Sequence, residues 1–234
     1  MPTLAELRKA VRDLADPKRA VVLQGFFKTG RGEYGEGDRF AGLTVPQVRD
    51  LARRFHPTDF STISSLLRSP VHEDRLLALL LLVERYRRGA PADRDRAFDL
   101  YVRSFRWINN WDLVDVSAWR IVGSHDIVRR QLLRWARSSH LWTRRIAILS
   151  TFARLRAGRF GDTLAVAAVL LGDKEDLLHK ATGWMLREVG KRDLAALETF
   201  LRRHHRKMPR TMLRYAIERL PKARRKAWLA GRPR

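Results

Sequence analysis

Apolar residues along the chain recur at intervals of three and four, the spacing that gathers them on one face of a helix, and no stretch alternates strictly as a half-buried strand would. Leu4, Leu7, Val11 and Leu14 define a first helical face. Stretches of the same kind recur at 73–88, 93–105, 110–121, 126–137, 142–156, 162–171, 176–189, 193–203 and 209–219. Turn chemistry separates them: Gly89-Ala90-Pro91, Gly123-Ser124, Gly158, Gly172-Asp173, Gly190 and Met208-Pro209. The pattern predicts an all-α chain.

Five of these stretches can be laid over one another: EDRLLALLLL from Glu73, NWDLVDVSAW from Asn110, WTRRIAILST from Trp142, LLHKATGWML from Leu177 and PRTMLRYAIE from Pro209. Their starts lie 32 to 37 residues apart, the length of a two-helix repeat. A helix pair of this size cannot bury its apolar face alone, so such pairs stack into a solenoid with a concave groove. The expected architecture is an α-solenoid of stacked antiparallel helix pairs, HEAT-like in type, forming one domain over residues 1–221 and followed by a basic tail at 222–234.

One segment departs from the helical pattern. Gly25 to Arg49, GFFKTGRGEYGEGDRFAGLTVPQVR, holds six of the chain's 14 glycines, and its irregular part is expected at 25–46. It is no phosphate loop, because it lacks GKS or GKT and its Glu33, Glu36 and Asp38 would repel phosphate. Asp38 and Thr44 suit turn or helix caps, with Pro46 in the first turn of the next helix. The segment is either a structural connector folded against the first repeats or a functional loop.

Charge narrows the partner. With 48 Lys+Arg against 25 Asp+Glu the formal net charge is +23, and 39 of the 48 basic residues are Arg. So large an excess raises the local concentration of polyanions, and on duplex nucleic acid it drives binding through counterion release. The preference for Arg fits bidentate grip of phosphate. A generally solvated basic surface is the plain alternative. At 45% hydrophobic residues the chain is not disordered by composition. The absence of cysteine excludes disulfides, thiolate metal sites and a Cys nucleophile. Without an apolar signal core or a run long enough to span a bilayer, a soluble, cytoplasmic protein is expected.

Metal ligation is unsupported, since the seven His are scattered, and no nucleophile motif is present. What remains is aromatic and acidic. Five of the seven Trp lie between residues 107 and 142. In NNWDLVDVSAW, Asn109 or Asn110 is a good N-cap, which starts a helix near Trp111. Trp111 and Asp115 are then four apart on one face, whereas Asp112 turns about 100° away. A carboxylate against an indole is partly desolvated, and the plain alternative is that Trp111 is core while Asp115 caps or pairs with an Arg. Trp184 lies on the apolar stripe of its helix and by itself reads as core. Arg144 and Arg145 are adjacent and so diverge, one free to face a groove while the other pairs locally.

WDLVD at 111–115, WTRRIAIL at 142–149 and KATGWMLREVGK at 180–191 together resemble the AlkD family of alkylpurine DNA glycosylases, and KTGRGEYGEGDRFAGLTVP at 28–46 is similar to that family's N-terminal segment. The motifs occur in the family's order from about residue 20 to 219. The resemblance implies a HEAT-like solenoid that grips double-stranded DNA and hydrolyses the N-glycosidic bond of N3- or N7-alkylated purines. Neither cofactor nor metal is expected, and a monomer suffices to grip one lesion. The resemblance places the family's catalytic Asp on Asp115, its two site tryptophans on Trp111 and Trp184, and its phosphate-contacting Arg on Arg145. Arg144, Lys180 and Arg187 accompany these as DNA-binding candidates. The N-terminal site aromatic falls on Phe26 or Phe27, where a phenyl ring carries no hydroxyl to donate. The rival expectations are a non-catalytic HEAT-like module binding damaged or bent nucleic acid, and a solenoid scaffold for an acidic protein partner.

Overall fold

The computed structural model describes residues 1–231. Every regular element among them is helical, and the one isolated β-bridge joins Arg39 to Val71. The chain divides into two compact units, Met1–Ile121 and Val122–Arg234. In each, helices pack mainly on near neighbours along the chain, consistent with an α-solenoid of stacked helices.

Unit 1 holds α1 (Leu4–Asp13), α2 (Pro17–Phe26), α3 (Val45–Arg54), α4 (Phe60–Leu67), α5 (His72–Arg88), α6 (Pro91–Arg103) and α7 (Trp111–Ile121). Its centre is α5, which packs on α3, α4, α6 and α7. Leu76, Leu77, Ala78, Leu79, Leu81 and Leu82 of α5 are almost fully buried, so this helix is apolar nearly all round rather than amphipathic. Fully burying one Leu side chain stabilises the fold by roughly 1.5–3 kcal/mol. The helix starts follow local chemistry. Thr3 and Thr44 each form a capping box, with Glu6 and Gln47, and Pro46 sits in the first turn of α3.

Unit 2 contains α8 (Arg129–Ala136), α9 (Leu141–Ser150), α10 (Phe152–Arg156), α11 (Gly161–Val169), α12 (Asp176–Gly190), α13 (Leu194–His204), α14 (Arg210–Ala216) and α15 (Lys222–Leu229). Here α12 is central and lies closest to α14. A Cβ on Gly183 would come within 2.5 Å of the Met212 carbonyl oxygen and the Tyr215 Cβ, so the missing side chain is what permits that approach. The stretch expected as one helix over 142–156 is two, because the backbone steps out of the α-ladder at Thr151. The basic segment expected as a tail is helical over Lys222–Leu229, where Trp228 is buried against the ring of His205. Its last residues, 232–234, lie outside the described residues.

The Gly-rich segment is a connector with specific ties. The backbone N–H groups of Ala41, Gly42 and Leu43 all donate to the buried carboxylate of Glu73, at 2.8, 2.8 and 3.2 Å. Gly42 adopts φ +92°, and a Cβ there would strike the Asp16 carbonyl oxygen at 2.1 Å. No other residue type fits this position without displacing the chain.

Candidate functional site

Helix α7 starts where the Asn pair predicts. The Trp111 N–H donates to Asn110 Oδ1 at 2.8 Å, and the Asn110 carbonyl accepts from Val114 N–H. Trp111 is half-buried, and two rings from the end of α2 meet it. Phe27 stacks on Trp111 at 5.2 Å between ring centroids and 20° between planes, while Phe26 meets it edge-on at 6.1 Å. The two phenylalanines are not equivalent. Phe26 is 62% exposed and Phe27 is 7% exposed. Phe26 therefore presents the surface ring and Phe27 supports Trp111 from behind.

Asp115 is half-buried one turn beyond Trp111. Its charge is felt by Tyr101, a fully buried phenol whose hydroxyl bonds Ser117 Oγ at 2.9 Å. Burial drives the Tyr101 pKa above the ordinary tyrosine range, and the negative charge of Asp115 adds to the rise against the Ser117 hydrogen bond. Trp119 lies a further turn along, with Arg120 over its own ring at 4.2 Å.

Behind this surface lies a polar network that periodicity does not reveal. His72, at the start of α5, is 2% exposed and bridges two carboxylates. Its Nε2 lies 2.8 Å from Asp112 Oδ2 and its Nδ1 lies 3.0 Å from Asp38 Oδ2. Asp38 also accepts from Arg75 Nη2 at 2.6 Å, from Asn109 Nδ2 at 3.1 Å and from Asn110 Nδ2 at 3.4 Å. Burial by itself pushes the His72 imidazole down, but the Asp112 charge and the hydrogen bonds that the ring donates to both carboxylates reverse this and raise it to about 9. Burial likewise acts to raise Asp38, and hydrogen bonding to His72 together with the Arg75 charge outweighs it, leaving Asp38 below the usual carboxylate range. His72 is thus a buried imidazolium at neutral pH. Its ring stacks on Phe40 at 4.5 Å, and Phe40 stacks on Phe27 at 5.0 Å. The network and the aromatic column form one support under Trp111.

This corrects the reading of Asp38 as a cap. Its carboxylate ties the Gly-rich segment to α5 and to the start of α7, across sequence separations that no local rule covers. The signal available in the sequence was HEDR at 72–75, four charged or titratable residues opening an otherwise apolar helix. All four are buried.

The other candidates lie in unit 2. Arg144 is spent locally: Nε contacts Asp173 Oδ2 at 2.6 Å, and Nη1 donates to the carbonyls of Ser138 and Ser139 at 3.0 and 2.8 Å. Arg145 diverges from it, as adjacency on a helix requires. It is 5% exposed, and its Nη1 donates to the Leu177 carbonyl at 2.6 Å, joining α9 to the first turn of α12. On α12, Trp184 is half-buried and faces the ring of Phe152 at 6.1 Å. Lys180 pairs with Asp176 at 2.8 Å, and Arg187 pairs with Glu218. Among the described residues no cluster of three or more His, Cys, Asp or Glu is arranged to hold a metal ion, and no helix is long and apolar enough to cross a membrane.

Residues 7–220 match the family described as DNA alkylation repair enzyme. Among solved structures, the chain is similar to the one titled "Predicted DNA alkylation repair enzyme from Enterococcus faecalis", with a TM-score of 0.66 and 16% sequence identity over 89% of this chain and 97% of that one. At that identity the likeness shows the fold. No curated protein sequence matches the chain.

Proposed function

Because the chain belongs to the DNA alkylation repair enzyme family, we propose that it is a DNA glycosylase that hydrolyses the N-glycosidic bond of cationic N3- or N7-alkylated purines in duplex DNA. The observation that carries this reading is the face of α7, where the Asp115 carboxylate follows one turn after an indole that the Phe27–Phe40–His72 column holds in place.

In this reading the alkylated purine already bears a positive charge, so the bond from C1′ breaks with its electron pair leaving on the base, and the base departs neutral without protonation. Asp115 offsets the charge that develops on the oxocarbenium-like sugar. It also orients a water whose oxygen forms the new bond to C1′, and it accepts the proton that the water gives up. Trp111 and Trp184 present electron-rich faces to cationic base or sugar, each contact contributing roughly 0.5–2 kcal/mol. Phe26 extends that aromatic surface. Arg145 contacts the DNA backbone, and its tie to Leu177 means that less side-chain freedom is lost on binding. Arg144, Lys180 and Arg187, each paired with a carboxylate in the free protein, are secondary DNA-binding candidates in this reading.

The test is release of free base from duplex DNA carrying 7-methylguanine and 3-methyladenine, comparing wild type with Asp115→Asn. The reading expects release by wild type and a loss of at least about 100-fold in the variant, roughly 2.7 kcal/mol of barrier. No neutral lesion should be processed, because the site offers no dedicated general acid. Robust release of hypoxanthine or 1,N6-ethenoadenine would contradict the mechanism, and tight DNA binding with no release from any cationic lesion would leave a damage-binding module in its place.

A further inference from the structure

Unit 1 contains a second concentration of charge that the proposed reaction does not use. A cavity of about 500 Å³ opens between α4, α6 and the turn at 104–107. Arg68, Arg96, Arg103 and Arg106 line it together with Ser64 and the rings of Phe60 and Trp107, and no carboxylate does. None of its lining comes from α7, so it is separate from the face that carries Trp111 and Asp115.

Two of the guanidinium groups are held by aromatic faces. Arg96 sits over the Phe60 ring at 4.6 Å and Arg106 over the Trp107 ring at 4.4 Å. Among the described residues neither has a carboxylate partner, so both stay oriented by aromatic faces while their N–H donors remain for an acceptor from outside. Arg68 makes one long contact, 3.5 Å to Ser64 Oγ. Arg103 pairs with Asp99 at 3.6 Å on the exposed side of α6, a contact that solvent screens. Asp59, next to Phe60 in the chain, is committed to the N-terminus of α4 through Ser61 and Thr62. Arg68, Arg96 and Arg106 thus converge on one concavity whose described lining holds no carboxylate, their like charges repel one another, and a bound anion relieves that repulsion. The volume falls within the range of small-ligand sites.

We propose that this cavity is a phosphate-binding site of nucleotide size, with Arg68, Arg96 and Arg106 as the gripping residues and Ser64 as an additional donor. Two sources would supply the same chemistry: a free phosphorylated compound, or a phosphate of a DNA strand. Binding at the site is independent of the glycosylase reading, because it requires neither Asp115 nor a lesion.

The probe is inorganic pyrophosphate, titrated calorimetrically at about 0.15 M salt so that exposed charges are screened. Wild type is compared with Arg68→Ser/Arg96→Ser and with Arg202→Ser/Arg203→Ser, which removes the same charge from exposed positions on α13. One saturable site is expected in wild type, weakened about tenfold or more in the cavity variant and by less than about twofold in the α13 variant, as loss of paired charge-assisted hydrogen bonds would give. Thermal melts of both variants should match wild type, since these side chains are exposed. Absence of a saturable site, or equal weakening in both variants, would overturn the proposal by reducing the effect to net charge. Competition with an undamaged duplex then separates the sources. If duplex displaces pyrophosphate and the cavity variant loses DNA affinity, the phosphate belongs to DNA; if neither happens, the ligand is a free compound. Failure of the glycosylase assay affects none of these outcomes.

Discussion

His72 offers the most demanding test of the architecture, because a buried imidazolium makes a signed claim about stability and pH. Its ordinary value is about 6.5, and the two flanking carboxylates hold it at about 9 in the folded protein. The folded state therefore retains a proton that the unfolded chain releases. Stability from this group is fully present below about pH 6.5, falls as pH rises, and is lost above about 9. A difference of this size corresponds to roughly 3 kcal/mol, at 1.36 kcal/mol for each tenfold change in proton affinity. The other shifted histidines do not confuse the measurement. Burial first, then neighbouring basic residues, move His56, His140 and His204 downward, so they act at lower pH and with the opposite sign. His72→Gln keeps a hydrogen-bonding side chain but removes the charge. Asp112 then stays buried without its cation, which costs about 3–5 kcal/mol for a broken buried pair. Urea denaturation of wild type and variant between pH 6.5 and 9.5 reads both effects. Wild type should lose roughly 3 kcal/mol across the interval while the variant starts lower and stays flat. A wild type as stable at pH 9.5 as at 6.5, or an unchanged slope in the variant, would refute the reasoning.

Three further outcomes follow from the geometry. Phe26→Ala should leave stability within about 0.5 kcal/mol, as for an exposed position, while lowering base release; Phe27→Ala should destabilise by about 3–5 kcal/mol, and thermal melts with turnover assays separate the two. Glu73→Gln replaces a carboxylate that takes three backbone N–H groups with an amide that offers one acceptor oxygen, and should cost about 1–3 kcal/mol, visible as faster amide exchange at residues 41–43. Gly183→Ala must push α12 from α14, and a loss of about 1–3 kcal/mol is expected from overpacking, read as a lowered midpoint in urea.

What could be read in the chain was whatever chemistry acts over a few residues. The start of α7 at Trp111, the shared face of Trp111 and Asp115, the divergence of Arg144 from Arg145 and the cap at Thr44 all depend on neighbours within about one turn. Helices with an apolar stripe were therefore legible. Helix α2, whose apolar residues gather on no one face, and the short, serine-rich α4 were not. The family motifs carried the assignment of Asp115, because a WxxxD on a helix has many structural uses. Only the tertiary structure decided the network under the aromatic column. Asp38, His72 and Asp112 lie 34 and 40 residues apart along the chain, and their meeting depends on how α5 packs on α7 and how the Gly-rich segment returns across α5. It also decided that Phe26 faces outward while Phe27 buttresses Trp111, since adjacent residues are distinguished only by what packs against each. Local propensity fixes which face a side chain occupies; burial, and with it the ionisation of His72, is a property of the partners that the fold brings to that face.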